Sequence, residues 1–187
     1  MTKAKQKILV TLIVLFLAIP SLMVVWLAWT GFFTNVKVSE ETQGPFVMVY
    51  EDHTGPYKQT GDIMERLSEQ LLEQNNIKTS NGFVIYFDDQ KETPQDSLRS
   101  KTGRIIEPSD TTKINSFGTR YKMMRLPAKR YVVAKIANRG ALSEFAGSVK
   151  VYPALDRFMK EKGYSPTPVM EIYDRNKTIM YLKEIKQ

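Results

Sequence analysis

An uncharged, strongly apolar run near the N-terminus is the feature that most restricts how this chain can fold. Residues 8–35 contain no charged side chain and consist mainly of Ile, Leu, Val, Phe and Trp. About 20 such residues cross the hydrocarbon core of a bilayer, whereas the apolar region of a cleaved signal peptide spans about 7–15. We therefore expect a transmembrane anchor at residues 8–30, followed by a folded domain at residues 31–187. A cleaved secretory signal is the alternative.

The charges on either side of this run predict its orientation. Lys3, Lys5 and Lys7 precede it, and Lys37 alone follows closely. Because lysine and arginine concentrate on the cytoplasmic side of a span, residues 1–7 are expected in the cytoplasm. The sequence thus predicts a single-pass protein of the cell (inner) membrane whose domain is extracytoplasmic.

Composition removes several classes of function. The net charge is +7, but basic and acidic residues are interspersed, so we expect no nucleic-acid partner. Cysteine is absent, which excludes disulfides and thiolate metal sites. No dinucleotide or phosphate-loop fingerprint occurs, and Asp88 and Asp89 lack the spacing of a calcium loop, so no cofactor or metal is expected. The expected partners are the lipid bilayer and an unidentified small molecule or protein.

The remaining chain shows one strand–helix–strand–strand pattern twice. Apolar strand patterns and one helical pattern in the first half fall at residues 45–52, 62–74, 82–89 and 97–107. The second half repeats the order at residues 129–140, 151–164, 168–174 and 178–185. We predict an α+β fold in which βαββ repeats, at about 36–107 and 119–185, form a curved antiparallel sheet. Both helices should cover one face, leaving the other partly open, and one transmembrane helix should precede the domain.

An alignment of the two halves assigns a role to the only histidine. "FVMVYEDHTGPY" aligns with "YVVAKIANRGAL", which places His53 over Asn138 and Gly55 over Gly140. The histidine is therefore interpreted as a turn residue, and the two glycines as requirements of backbone geometry. "VIYFD" aligns with "MEIYD", so that Ile85 is the counterpart of Glu171.

Three motifs resemble the GyrI-like (gyrase-inhibitor-like) family, which includes effector-binding domains of AraC- and MerR-type regulators. They are "HTGPY", "YFDDQKETPQDSLRSKTG" and "YPALDRFMKEKGYSPTPVMEIYD". The anchor and the end motifs are especially similar to the membrane-anchored branch that includes the testis-expressed ER-phagy receptor of animals. The resemblance implies a duplicated βαββ fold and a pocket for small, often cationic or aromatic ligands. It also implies a central glutamate in an E-x-Y strand, here Glu171 and Tyr173.

Glu171 is therefore the main candidate for a ligand-binding residue. Alternation along its strand predicts that Met170 and Ile172 face the core, while Glu171 and Tyr173 share the opposite face. Five further strand residues, aromatic or apolar, are candidate ligand-binding residues. Alternation predicts that Phe83 and Phe87 lie on the face of Tyr173. The other three are Ile85, Tyr50 and Met48.

We predict a binding module with a pocket between the two repeats, and no residue is assigned a catalytic role. Two alternatives stay open. One is a hydrolase of small electrophiles that uses Glu171 as general base. The other is a protein-interaction scaffold without a small-molecule ligand.

Overall fold

The computed structural model describes residues 3–29, 35–79, 81–116 and 121–186. Its helices are α1 (Lys3–Trp29), α2 (Thr60–Asn75) and α3 (Ala141–Glu161). Short 3-10 helices occupy Tyr57–Gln59, Gln95–Ser97 and Pro108–Ser116. The strands are β1 (Val38–Gln43), β2 (Phe46–Thr54), β3 (Asn81–Tyr86), β4 (Arg99–Ile105), β5 (Lys122–Leu126), β6 (Lys129–Ala137), β7 (Val169–Asp174) and β8 (Thr178–Glu184).

Helix α1 is not packed into the core of the domain. Its segment Gln6–Trp29 is long and apolar enough to cross a bilayer, and no part of its most apolar stretch is buried against the rest of the described chain. Phe16 and Leu22 are examples of large side chains left exposed along it. Exposed apolar side chains all round a helix are favourable in lipid and unfavourable in water.

The eight strands form one antiparallel sheet in the order β1-β6-β8-β7-β3-β4-β2-β5. Each βαββ repeat supplies three adjacent strands, and the repeats meet where β3 pairs with β7. The predicted α+β fold with duplicated βαββ repeats and a curled antiparallel sheet is confirmed. Strands β1 and β5, at the two edges, were not predicted, because "VSEETQ" is mostly polar and the apolar residues of "KMMRL" do not alternate with polar ones.

The helices pack on one face of the sheet, as predicted. Helix α2 lies over β2, β3 and β4, with Ile63, Leu67 and Leu71 buried, whereas Leu72 is exposed. Helix α3 lies over β1, β6 and β8 and begins ten residues before the predicted boundary. Because each helix covers its own repeat, the β3–β7 junction lies below the seam between them.

The opposite face of the curled sheet carries an apolar core of its own. Its core contains Met48, Phe83 and Leu182, none of which is exposed to solvent. Because this core is apolar, a polar binding site has to be sought on the side of the helices.

The backbone confirms the expectation for the two glycines, but the interpretation of His53 as a turn residue is wrong, because His53 pairs with Ser100 of β4. Gly55 and Gly140 both adopt positive φ, at 139° and 107°. His53 itself belongs to the end of β2, and its Nε2 atom lies 3.4 Å from the carbonyl oxygen of Pro56.

Candidate functional site

Glu171 lies at the centre of the sheet, on β7, where the two repeats meet. Its neighbours Met170 and Ile172 belong to the core of the helix-free face, and Val169 and Tyr173 contact the core beneath α3. The predicted alternation along this strand is therefore confirmed. The residue is only 5% exposed, although a carboxylate is costly to bury without polar partners.

Two tyrosine hydroxyls supply polar partners for this carboxylate. Tyr152, from α3, donates to Oε1 at 2.5 Å, and Tyr173, from β7 itself, donates to Oε2 at 2.5 Å. Hydrogen bonds to an ionised acceptor are stronger than neutral ones, so both donors favour the charged form of the carboxylate.

The first repeat contributes a third tyrosine to this site. Tyr86, at the end of β3, interacts with the hydroxyl groups of Tyr173 and Thr60. The ring of Tyr57 lies beside it, with 4.5 Å between ring centroids. We call Glu171, Tyr152, Tyr173 and Tyr86 the tyrosine–carboxylate cluster.

Burial raises the pKa of all three tyrosines in this cluster, and the negative charge of Glu171 raises it further. Since an ordinary tyrosine titrates near pH 10, the three hydroxyls stay protonated at neutral pH. They can therefore act as hydrogen-bond donors while their rings form walls around a single negative charge.

Tyr152 is also supported from the sheet. Its ring meets that of Tyr181 edge to face, with centroids 5.9 Å apart, and Tyr181 is 1% exposed. Gly147, one turn earlier on α3, lies directly over the Tyr181 hydroxyl, where a Cβ atom would come within 2.3 Å of it. The close approach of α3 to β8 thus depends on a residue without a side chain.

The structure brings together only two of the residues predicted to bind ligand, Glu171 and Tyr173. Phe83, Ile85, Met48 and Tyr50 lie in or against the core of the opposite face. Phe87 follows the last residue of β3 and is exposed.

The prediction that Phe83 and Phe87 share the face of Tyr173 is wrong because the alignment of the halves was shifted by one residue. In the sheet, Val84 rather than Ile85 pairs with Glu171 and shares its face. A shift of one residue moves every side chain to the other face of a strand.

Sequence reasoning missed Tyr86 and Tyr152 as site residues. The correct phase of β3 would have found the first, because alternation from Val84 places Tyr86 on the same face as Glu171 and Tyr173. Tyr152 falls within the helical pattern predicted at residues 151–164, and only its hydrogen bond to Glu171 in the folded chain distinguishes it. Within the described parts of the chain, no three His, Asp or Glu side chains converge as a metal site would require.

Comparison with solved structures identifies the same fold elsewhere. The C-terminal domain of EcmrR superposes with a TM-score of 0.58 and 10% identity, covering 81% of this chain and 98% of that one. The structure of SAV2435 bound to tetraphenylphosphonium gives a TM-score of 0.52 and 10% identity, covering 80% and 94%. At these identities the likeness shows the fold alone.

A curated relative is more similar in sequence. Testis-expressed protein 264 homolog of Mus musculus is 26% identical over 159 residues, which cover 80% of this chain and 49% of the mouse protein. This chain therefore spans about half the length of the curated relatives it matches. The sequence model of the GyrI-like family, described as a GyrI-like small molecule binding domain, matches residues 37–185, and the chain belongs to this family.

Proposed function

We propose that the domain binds a small organic cation, of aromatic or quaternary ammonium type, at the tyrosine–carboxylate cluster. The observation that carries this proposal is the buried carboxylate of Glu171, held by two tyrosine hydroxyls at the junction of the repeats. A fixed negative charge enclosed by aromatic rings is complementary to a cation that has a large apolar surface.

Two physical effects act together at such a site. The effective dielectric constant at a buried position is far below that of water, so the attraction between the carboxylate and a bound cation is strengthened. Aromatic faces add a cation–π attraction of about 2 kcal/mol when the contact is desolvated. The half-buried rings of Tyr86, Tyr152 and Tyr173 can provide such faces.

Tetraphenylphosphonium is a suitable probe, because a protein of the same fold has been solved with it bound. The experiment measures its affinity for the full chain in detergent by isothermal titration calorimetry. Glu171→Gln keeps the shape and removes the charge, and we expect affinity to fall at least tenfold, or about 1.4 kcal/mol. Glu65→Gln, at an exposed position on α2, is the matched control and should bind as the parent does. Equal affinities for both variants would refute the proposal.

The proposal includes no nucleic-acid partner. Several basic side chains of the domain are paired with acids: Lys101 and Lys122 with Asp52, and Lys135 with Glu41. Such pairing leaves less unbalanced positive charge for a phosphate backbone.

We also propose that α1 anchors the domain in the cell membrane, with the domain extracytoplasmic. A segment of 24 residues extends about 36 Å at 1.5 Å per residue, enough for a hydrocarbon core of about 30 Å. Because the chain contains no cysteine, one introduced thiol reports its side of the membrane unambiguously. In a bacterial host, an impermeant maleimide should label Asn176→Cys on intact spheroplasts and Gln6→Cys only after lysis. The reverse pattern would overturn the orientation.

A further inference from the structure

The first half of α3 carries an exposed apolar stripe that leads to the tyrosine–carboxylate cluster. Phe145 and Val149 are 61% and 52% exposed. Together with Tyr152 they occupy positions i, i+4 and i+7, which lie on one side of a helix. Tyr152 is the last residue of the stripe, and its hydroxyl donates a hydrogen bond to Glu171. The exposed apolar surface therefore leads directly to the buried carboxylate.

The other end of the stripe lies beside the C-terminal end of α1. Arg139, in the connection from β6 to α3, donates a hydrogen bond to the carbonyl oxygen of Trp29 and lies 5.5 Å from the centre of its ring. Helix α3 begins two residues later, and Phe145 follows about 6 Å along its axis at 1.5 Å per residue. The stripe therefore extends from the end of the proposed anchor to the proposed binding site.

From this continuity we infer that the cluster takes an amphiphilic ammonium compound from the bilayer, with its head on Glu171 and its hydrocarbon tail along Phe145 and Val149. The inference rests on the proposed function, since it assumes that Glu171 binds a cation and that α1 spans the membrane. It adds the class of ligand, the path of entry and two residues that recognise the tail.

The bilayer is the favoured source because Arg139, just before the start of α3, contacts Trp29 at the end of the proposed anchor. A charged amphiphile in a membrane keeps its head at the interface, at the level where Trp29 is expected to lie. Moving the head onto Glu171 exchanges water for a carboxylate and aromatic rings. Placing part of the tail on the apolar stripe then reduces the area of the tail that water contacts.

The first experiment separates head from tail. The full chain in phosphatidylglycerol nanodiscs is titrated with tetramethylammonium and with decyltrimethylammonium, and affinities are corrected for partitioning into empty nanodiscs. Each buried methylene should raise affinity about fourfold, so we expect the decyl compound to bind at least tenfold more tightly.

Replacing the stripe provides the decisive comparison. In the double variant Phe145→Ser/Val149→Ser, decyltrimethylammonium should lose its tenfold higher affinity, while the affinity for tetramethylammonium should stay as in the parent. Leu72→Ser, an exposed apolar residue on α2, is the matched control and should keep the gain. If the double variant keeps the gain, or if the parent has none, the inference is overturned.

A second experiment tests the source of the ligand. A dioleoyl lipid with a trimethylammonium head, included in the nanodisc, should compete with tetraphenylphosphonium for the parent chain. Arg139→Ala should weaken this competition severalfold without changing the affinity for tetraphenylphosphonium itself. Absence of competition in the parent would refute entry from the bilayer. Loss of binding of every soluble cation would instead refute the proposed function, so the two failures are distinguishable.

Discussion

Gly147→Ala should destabilise this protein, although alanine is the better helix former. Gly147 lies inside α3, where the exchange gains about 1 kcal/mol of helix propensity. The new Cβ atom, however, would lie 2.3 Å from the Tyr181 hydroxyl oxygen and 2.5 Å from Ile136 Cδ1. Tyr181 is almost completely buried and has little room to move away.

The clash should outweigh the gain in propensity. Overpacking of a well-filled core costs about 1–3 kcal/mol, and here two neighbours are approached too closely at once. We expect a net loss of about 1–2 kcal/mol in the free energy of unfolding, which corresponds to a fall in Tm of about 2–8 °C for a chain of this size. Because Tyr181 packs against Tyr152, the affinity for tetraphenylphosphonium should also decrease.

The assay is thermal unfolding of the full chain in detergent, followed by circular dichroism. Gly61→Ala in α2 is the matched control, since nothing lies within 4 Å of its Cβ position, and its Tm should be equal or higher. Combining Gly147→Ala with Tyr181→Phe removes the nearest contact atom, so the double variant should lose less than the sum of the single losses. A Gly147→Ala protein that gains as much stability as Gly61→Ala would refute the reasoning.

Three further predictions concern the cluster and the sheet. Tyr173→Phe removes one hydroxyl donor from the buried Glu171, and it should lower the free energy of unfolding by about 1–3 kcal/mol in chemical denaturation. Tyr164→Phe should lower it less, because the hydroxyl of Tyr164 donates to Glu40, which is less buried. Equal losses in the two variants would contradict this reasoning. Gly103→Ala would place a Cβ atom 1.9 Å from the carbonyl oxygen of Val49, so backbone must move, and we expect a loss of about 3 kcal/mol or more, which a normal Tm would disprove. Because burial raises the pKa of the three cluster tyrosines, the folded state retains protons that the unfolded chain releases above about pH 10. The free energy of unfolding should therefore fall between pH 9 and 11, as denaturation at these two values would show, and a flat profile would be inconsistent with buried neutral tyrosines.

The fold followed from local patterns to a large extent. Apolar alternation located six of the eight strands, and the helical period located α2 and the second half of α3. These patterns are visible in sequence because burial of one face imposes a period of 2 on a strand and 3.6 on a helix. The edge strands β1 and β5 escaped this reasoning, since a strand with one neighbour and charged side chains carries no such period.

The candidate site was predicted only in part. Glu171 and Tyr173 were found together because they are two residues apart on one strand, where alternation places them on the same face. Phe83 and Ile85 were assigned to the site through an alignment of the halves, and one residue of shift placed them on the wrong face. That shift is difficult to see in sequence, because "VIYF" reads as an apolar strand in either register.

Local sequence patterns were enough to predict that an apolar helix precedes an α+β domain and that Glu171 points away from Met170 and Ile172. Length, apolarity and strand period are local properties, so they can be read without knowing what packs where. Three further relations are visible only in the folded chain: the helices cover the face of Glu171, Val84 is the partner of Glu171 on β3, and Tyr152 donates a hydrogen bond to its carboxylate. These relations join segments far apart in the chain, and they depend on how both helices and the curled sheet bury their apolar surfaces together.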